Sequence, residues 1–149
     1  MATCISTSPE ATVALGEEWG HEAESGWVLA LTGDLGAGKT QLVRGVARGL
    51  GITARVHSPT FALLHSYEGG RLTLHHLDLF RLEHAAAVHQ AGLDGYLYPE
   101  EAVAVVEWAE RWLGSTGAAG AQGVKLLRRV WIDLLTPLQR RIRYEDSRP

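Results

Sequence analysis

Residues 33–40 read GDLGAGKT, which matches the pattern G-x-x-x-x-G-K-[ST] at every position. The run Trp27–Leu31 that precedes it is apolar throughout, as expected of a strand covered on both faces of a sheet. After it, Leu42, Val46 and Leu50 recur every four residues, a spacing that predicts an amphipathic helix. A buried strand, a glycine-rich turn and a helix in this order predict a phosphate-binding loop within an α/β domain.

The residue types of this stretch suit phosphate chemistry. Glycines let the backbone curl so that successive N–H groups point at phosphate oxygens, and the helix that follows adds the positive end of its dipole. We expect Lys39 to reach the β- and γ-phosphates and the Thr40 hydroxyl to take one position on Mg²⁺. P-loop GTPases usually read guanine with an Asn-Lys-x-Asp loop, and the chain contains no asparagine. The sequence therefore predicts a nucleoside triphosphate site that favours ATP over GTP.

Two acidic residues follow apolar stretches of strand length. Glu107 comes directly after Val103–Val106, and Asp78 ends the segment Leu74–Leu77. Carboxylates at the carboxyl ends of strands are the groups that support a bound metal or orient a nucleophile in α/β nucleotide-binding proteins. Both residues are therefore candidates for the site.

The rest of the chain predicts further α/β structure. Serine, proline and glutamate at positions 8–10 indicate a helix start. The other predicted elements are two hairpin strands at Phe61–Tyr67 and Leu72–Asp78, a helix over 82–91, a strand at Ala102–Glu107, and a final hairpin of Arg129–Leu135 and Arg140–Tyr144. We expect one P-loop NTPase-type domain over residues 1–149, with a mixed, largely parallel sheet flanked by helices and a flexible tail at 144–149.

Composition excludes several classes of protein. The chain has 149 residues, of which 46% are hydrophobic and 21% are charged, so wholesale disorder and fibrous repeats do not fit. The net charge of −3 gives no general attraction to nucleic acid. No apolar run approaches the roughly 18 residues of a membrane span, and the start of the chain lacks the pattern of a secretory signal. The single cysteine, Cys4, can form no internal disulfide, which fits a reducing cytoplasm. We therefore expect a cytoplasmic protein and, from the short apolar runs, no contact with a membrane.

Four motifs occur in a fixed order: GDLGAGKT, SPTF at 58–61, HLDLFR at 76–81 and VEW at 106–108. Together they resemble the TsaE family, the small bacterial ATPases of tRNA threonylcarbamoyladenosine biosynthesis, over roughly residues 6–113. The resemblance implies cytoplasmic ATP binding and slow hydrolysis. It also implies two partners, TsaB and TsaD, which attach threonylcarbamoyl to the adenosine beside the anticodon, so that tRNA is reached only through the complex.

The resemblance also implies roles for individual residues. The phosphates would be wrapped by Leu35, Gly36, Ala37, Gly38, Lys39 and Thr40. Thr40 and Glu107 would hold Mg²⁺, and Asp78 would stand near the γ-phosphate as the acid needed for turnover. Thr60 would belong to a switch-like loop that senses that phosphate.

The resemblance also implies a tryptophan and an arginine near the nucleotide. Trp108 matches a family tryptophan near the nucleotide, whereas Phe80 stands where tyrosine is common. The family usually has a Gly-Arg turn near the nucleotide in its last hairpin, but residues 136–141 here read TPLQRR. Whether Arg140 or Arg141 takes that role is left open by the sequence. For the arginine-rich hairpin as a whole, a solvated polar face is the favoured interpretation, and contact with a partner, tRNA or the nucleotide is the alternative.

Other interpretations of the P-loop remain open at this point. A small-molecule kinase shares the loop, but it needs a mobile lid with arginines, and residues 114–123 carry no charge. A nucleotide-gated switch without useful hydrolysis needs the same loop as a slow ATPase. A histidine metal cluster is disfavoured, because adjacent His75 and His76 would point to opposite faces of a strand.

Overall fold

A computed structural model describes residues 1–34 and 36–149, and within these ranges seven strands form one sheet. The elements follow the order β1 (Ala2–Ser6), α1 (Pro9–Glu22), β2 (Trp27–Thr32), α2 (Lys39–Gly49), β3 (Leu64–Tyr67), β4 (Thr73–Asp78), α3 (Ala85–Gln90), α4 (Asp94–Leu97), β5 (Ala102–Glu107), α5 (Glu110–Leu113), a 3₁₀ segment (Gly114–Ala121), β6 (Leu126–Leu134) and β7 (Arg140–Ser147).

The strands lie in the order β1-β7-β6-β2-β5-β4-β3. The central strands β6, β2, β5 and β4 are mutually parallel, whereas β1, β7 and β3 pair antiparallel at the two sides. The predicted α/β class and mixed sheet are thus confirmed, with the parallel part at the centre. The carboxyl ends of β2, β4 and β5 consequently meet at one edge, where ligands bind in open α/β sheets.

Helices cover both faces of the sheet, so that both faces of strand β2 are buried and its run Trp27–Leu31 is apolar. Leu29 and Leu31 pack into a core shared with α1 and α2, while Val28 and Ala30 pack into a second core shared with α3, α4 and α5. Successive side chains of a strand point to opposite faces, so a strand between two helical layers has to be apolar at every position.

Helices α1 and α2 approach each other closely because glycines face the contact. A Cβ atom added to Gly45 would overlap the Val13 carbonyl oxygen, and one added to Gly16 would overlap the carbonyl oxygen of Leu42. Helix α1 begins with a side-chain cap, in which Ser8 Oγ accepts a 3.0 Å hydrogen bond from the Ala11 amide. The tight packing holds this capped end beside the start of α2.

Several predicted boundaries were wrong. Strand β1 was missed, and the first hairpin strand begins at Leu64 rather than Phe61 because Leu63 takes a left-handed φ of 66° in a turn. The helix predicted over 82–91 is shorter, and β6 begins at Leu126 rather than Arg129. The expected flexible tail is mostly strand, since β7 continues to Ser147 in register with β6. Among the described residues, every helix is too short or too polar to cross a membrane.

Candidate functional site

A cavity of about 370 Å³ opens at the carboxyl edge of the central strands. Of the residues that the sequence predicted for the site, all but one border it: Gly36, Ala37, Gly38, Lys39, Thr40, Thr60, Asp78, Glu107, Trp108 and Arg140. The exception, Leu35, lies outside the described residues. Ser8, Pro9 and Thr12 at the start of α1 border the cavity as well, so residues far apart in sequence meet here.

Three glycines of the loop stand at positions where a residue with a Cβ atom would be strained or would clash. Gly36 and Gly38 have φ angles of 79° and 100°, which side chains with a Cβ rarely adopt. A Cβ at Gly33 would lie 2.7 Å from the Ile132 carbonyl oxygen. The backbone thus turns sharply between β2 and α2, and α2 begins at Lys39 with its first amides at the cavity. This is the arrangement that binds anions at a helix start.

Lys39 lies at the wall of the cavity and is 5% exposed. Its Nζ donates hydrogen bonds to the carbonyl oxygens of Gly33 and Asp34 and lies 4.3 Å from the centre of the Trp108 ring. Burial lowers the pKa of this ammonium, while Glu107 and other nearby carboxylates oppose that effect. A buried cation held among carbonyl groups is suited to receive an anionic ligand.

Asp78 and Glu107 stand side by side at the ends of β4 and β5 and are register partners. Each is only 4% exposed. Asp78 Oδ2 accepts hydrogen bonds from Thr60 Oγ1 at 3.0 Å and Ser58 Oγ at 3.3 Å, and its Oδ1 accepts the Phe80 amide at 3.0 Å. The structure therefore brings the predicted switch-like loop into contact with the predicted acid.

His76 is a residue of this site that the sequence argument did not assign. Its Nε2 lies 2.5 Å from Glu107 Oε2, and the side chain is fully buried. In the sequence, His76 stands out only as the first residue of the motif at 76–81 and as a disfavoured metal ligand. The signal that could have found it is the spacing of His76 and Asp78, because residues two apart on a strand share a face.

Trp108 follows Glu107 in a left-handed conformation with a φ of 57°. Its ring lies 5.0 Å from the ring of Phe80 and 5.6 Å from the guanidinium of Arg111. Residues other than glycine seldom adopt this region of φ, and those that do are enriched at functional sites. The turn places the indole against Lys39 at the cavity wall.

Arg140 and Arg141 lie in different surroundings. Arg140 Nε donates a 3.0 Å hydrogen bond to the Ala37 carbonyl oxygen, and a terminal nitrogen reaches that of Gly36 at 3.3 Å. Arg141 instead pairs with Asp133 at 3.1 Å, and neither residue borders the cavity. Of the two arginines left open by the sequence, Arg140 is therefore the one beside the phosphate-binding loop.

The donor atoms at the cavity fit a magnesium–nucleotide complex. Thr40 and Glu107 offer hydroxyl and carboxylate oxygens, the ligand type that Mg²⁺ prefers, and Mg²⁺ commonly takes the rest of its shell from waters and substrate phosphates. Within residues 1–34 and 36–149, no group of three or more His, Cys, Asp or Glu side chains could hold a metal. The donor set thus suits a metal that arrives with phosphates rather than one held by protein alone.

Comparisons with known proteins give a consistent result. A family model described as "Threonylcarbamoyl adenosine biosynthesis protein TsaE" matches residues 6–133. Proteins named tRNA threonylcarbamoyladenosine biosynthesis protein TsaE are similar to this chain. That of Bacillus subtilis is 45% identical over 102 residues, covering 68% of this chain and 63% of the relative. That of Synechocystis is 41% identical over 110 residues, covering 68% and 66%.

The lengths matched differ among relatives. The match spans just under two thirds of the Synechocystis and Bacillus subtilis proteins. The Treponema pallidum TsaE is 44% identical over 108 residues, which cover 72% of this chain and 78% of the relative. Among solved structures, Bacillus subtilis YdiB superposes with a TM-score of 0.75 at 30% identity, covering 99% of this chain and 86% of that one.

Proposed function

The chain belongs to the TsaE family, and from that premise we propose that it is an ATP-binding protein of tRNA threonylcarbamoyladenosine biosynthesis. It binds ATP with Mg²⁺ in the cavity at the end of β2 and hydrolyses it slowly on its own. Hydrolysis becomes effective in the cytoplasm together with TsaB and TsaD, and tRNA is contacted only through that complex.

One observation carries this proposal. The glycine-rich loop, the buried Lys39 ammonium and the paired acids Asp78 and Glu107 border a single cavity. Loop amides and a lysine bind phosphates, whereas carboxylates at neighbouring strand ends serve metal binding and the orientation of a nucleophile. A site with both kinds of group supports hydrolysis as well as binding.

The residues divide the work by position. Lys39 would exchange its carbonyl partners Gly33 and Asp34 for phosphate oxygens, which are stronger acceptors because they are charged. Thr40 and Glu107 would hold Mg²⁺, which supplies neutralisation of phosphate charge when it is bound. Asp78 would accept a hydrogen bond from the attacking water and orient it, while Thr60 would turn from Asp78 toward the γ-phosphate.

The slow rate follows from what surrounds the cavity. Uniform binding of substrate and transition state does not speed chemistry, and acceleration usually needs an arginine that meets the developing charge, an effect of about 10³–10⁵ in rate. Within the described part of the chain, Arg140 is the arginine that borders the cavity. Its guanidinium already donates to carbonyl oxygens of Gly36, Ala37, Thr136, Pro137 and Gln139.

The kinase alternative has no specific contact in its favour. The segment that would have to serve as a lid, Gly114–Ala121, has no charged side chain and forms short 3₁₀ turns interrupted at Gly117. A lid that closes over a phosphoryl group needs cationic side chains and freedom to move. We therefore retain the conditional ATPase as the proposed function.

Single-turnover hydrolysis of ATP tests the proposal. Rates are measured for the isolated chain and after addition of purified TsaB and TsaD, with a Lys39→Ala chain as the control for contaminating ATPases. We expect a rate far below the ~1–100 s⁻¹ typical of kinases for the isolated chain and a clear increase with both partners. Fast turnover that is unchanged by the partners would contradict the proposal and favour a self-sufficient enzyme.

A further inference from the structure

His76 is a buried titratable residue to which the proposed function gives no role. It lies in β4, is 0% exposed, and its Nε2 is 2.5 Å from Glu107 Oε2. Its other ring nitrogen, Nδ1, is buried without a hydrogen-bond partner among the described residues. An unpaired buried polar atom is destabilising, so a leucine would fill this position at lower cost. Packing alone does not explain a histidine here.

The register of β4 and β5 places His76 beside Glu107. His76 lies opposite Val105 in the parallel pair of β4 and β5, and Asp78 lies opposite Glu107. His76 and Glu107 are therefore diagonal neighbours on one face of the sheet. The contact links a fully buried position to a carboxylate that borders the cavity.

Hydrogen-bond accounting identifies the donor. If Nε2 carried no proton, its lone pair would face a carboxylate oxygen at 2.5 Å, and the N–H at Nδ1 would be buried without an acceptor. With the proton on Nε2, the ring donates to Glu107 and leaves only an acceptor unpaired. The imidazole thus fixes one carboxylate oxygen, Oε2. Oε1 accepts no hydrogen bond from the part of the chain that the structure describes.

A second charged group at the cavity, the Lys39 ammonium, would attract the Glu107 carboxylate if the carboxylate were free to move. The Lys39 ammonium and Glu107 border the same cavity, and each residue is at most 5% exposed. An unrestrained Glu107 would be drawn toward that ammonium. The resulting ion pair would withdraw the carboxylate from the metal and the ammonium from the phosphates.

We infer that His76 is a positioning residue that holds Glu107 by Oε2, so that the carboxylate faces the cavity and is available to the Mg²⁺ accompanying the nucleotide. This inference rests on the proposed function. Removing a hydrogen bond that orients a metal ligand typically changes metal affinity about 10–100-fold. Binding of nucleotide without metal does not use this contact.

The test is the dependence of ATP binding on Mg²⁺, measured by calorimetry for wild type, His76→Leu, His76→Met and His76→Gln, with ATP in EDTA as the metal-free reference. We expect both apolar variants to need about 10–100 times more Mg²⁺ for half-maximal binding, with a much smaller change in EDTA. His76→Gln keeps an N–H donor near the position of Nε2 and should restore most of the Mg²⁺ affinity.

The control variant is His75→Leu. His75 neighbours His76 in β4 but contacts different groups, with its ring 5.1 Å from that of Tyr96 and its Nδ1 2.7 Å from Ser66 Oγ. Its Mg²⁺ dependence should equal that of wild type. Thermal unfolding of each ligand-free variant shows which variants are folded. Two apolar replacements of His76 are used so that the test can still be made if one of them does not fold.

The outcomes separate this inference from the proposed function. Apolar variants with wild-type Mg²⁺ dependence would overturn the inference, as would equal losses with and without metal or a His76→Gln variant no better than the apolar ones. If Glu107→Gln loses the Mg²⁺ dependence while the His76 variants keep it, the inference alone fails. If wild type binds no ATP, or binds it without regard to Mg²⁺, the proposed function itself fails.

Discussion

Thr60 donates a 3.0 Å hydrogen bond to Asp78 across 18 residues of sequence. The same Oδ2 atom accepts a hydrogen bond from Ser58 at 3.3 Å, so one carboxylate anchors the Ser58–Phe61 segment beside the cavity. A loop held by a group that also faces the ligand can respond to the ligand, because the hydroxyl can exchange one acceptor for another. The contact therefore joins the proposed sensing residue to the proposed acid.

Asp78→Ala should separate hydrolysis from binding. We expect ATP affinity to stay within a few-fold of wild type, because the phosphates are bound by the loop amides and Lys39, whereas the Asp78 carboxylate has no donor to offer them. Hydrolysis in the presence of the partners should fall by about 10²–10⁴, the usual contribution of an acid or base. The exposed Asp94, which pairs with His89, provides the control Asp94→Ala. Wild-type hydrolysis by Asp78→Ala would show that the acid has no catalytic role.

Replacement of Arg140 should weaken ATP binding, whereas replacement of Arg141 should not. Arg140 donates hydrogen bonds to the loop carbonyls of Gly36 and Ala37, while Arg141 pairs with Asp133, which does not border the cavity. For Arg140→Leu we expect a loss of about tenfold in affinity, because the loop would lose the guanidinium that holds its carbonyls and keeps its amides turned toward the phosphates, a contact of the kind that contributes about 1.5–3 kcal/mol. Calorimetric titration with Mg-ATP measures both variants. Equal affinities for the two would remove Arg140 from the site.

The phosphate-binding loop and its flanking elements could be predicted because each is specified by a pattern of neighbouring residues. The pattern at 33–40, the apolar run of β2 and the four-residue periodicity of α2 are all visible within short windows of sequence. Strand β1 was not, since Ala2–Ser6 forms an edge strand of largely exposed residues without an apolar pattern. Its partner β7 is more than 130 residues away, and such long-range pairing leaves no local signal.

Within the site, residue types were easier to predict than the contacts between them. Asp78 and Glu107 could be placed at strand ends from the sequence, but not as neighbours, because their pairing depends on the strand order. The contact of His76 with Glu107 required the same knowledge. Arg140 and Arg141 could not be distinguished until the register of the final hairpin was known.

Gly45→Ala should destabilise the fold through the contact of α1 and α2. The added methyl group would overlap the Val13 carbonyl oxygen, and overpacking of this kind costs about 1–3 kcal/mol in the free energy of unfolding. The control is Gly95→Ala in α4, where nothing lies within 4 Å of the new Cβ. That change should be neutral or stabilise by about 0.4–1 kcal/mol. Urea denaturation measures both, and equal stabilities would contradict the close packing.

Lys39→Met should change how stability depends on pH in the absence of nucleotide. Burial lowers the pKa of Lys39 below its usual 10.5, so the unfolded chain binds this proton more readily than the folded one. The cost to folding is full below the folded-state pKa and disappears as pH rises toward 10.5.

The measurement is thermal unfolding of both proteins at neutral pH and near pH 10. The stability of the Met variant relative to wild type should be greatest at neutral pH and should decline as pH rises. A constant difference between the two proteins, or one that grows with pH, would be inconsistent with a destabilised ammonium at this position.

Calorimetry on variants of the two lysines of the chain measures most directly whether the loop at 33–40 binds Mg-ATP through Lys39. Lys125 serves as the control because it lies against Gly26, away from the cavity. We predict that wild type and Lys125→Ala bind Mg-ATP with the same affinity and that Lys39→Ala binds about 10- to 150-fold more weakly, as expected for a charge-assisted contact. An unchanged dissociation constant for a folded Lys39→Ala chain would contradict the phosphate site and, with it, the proposed function.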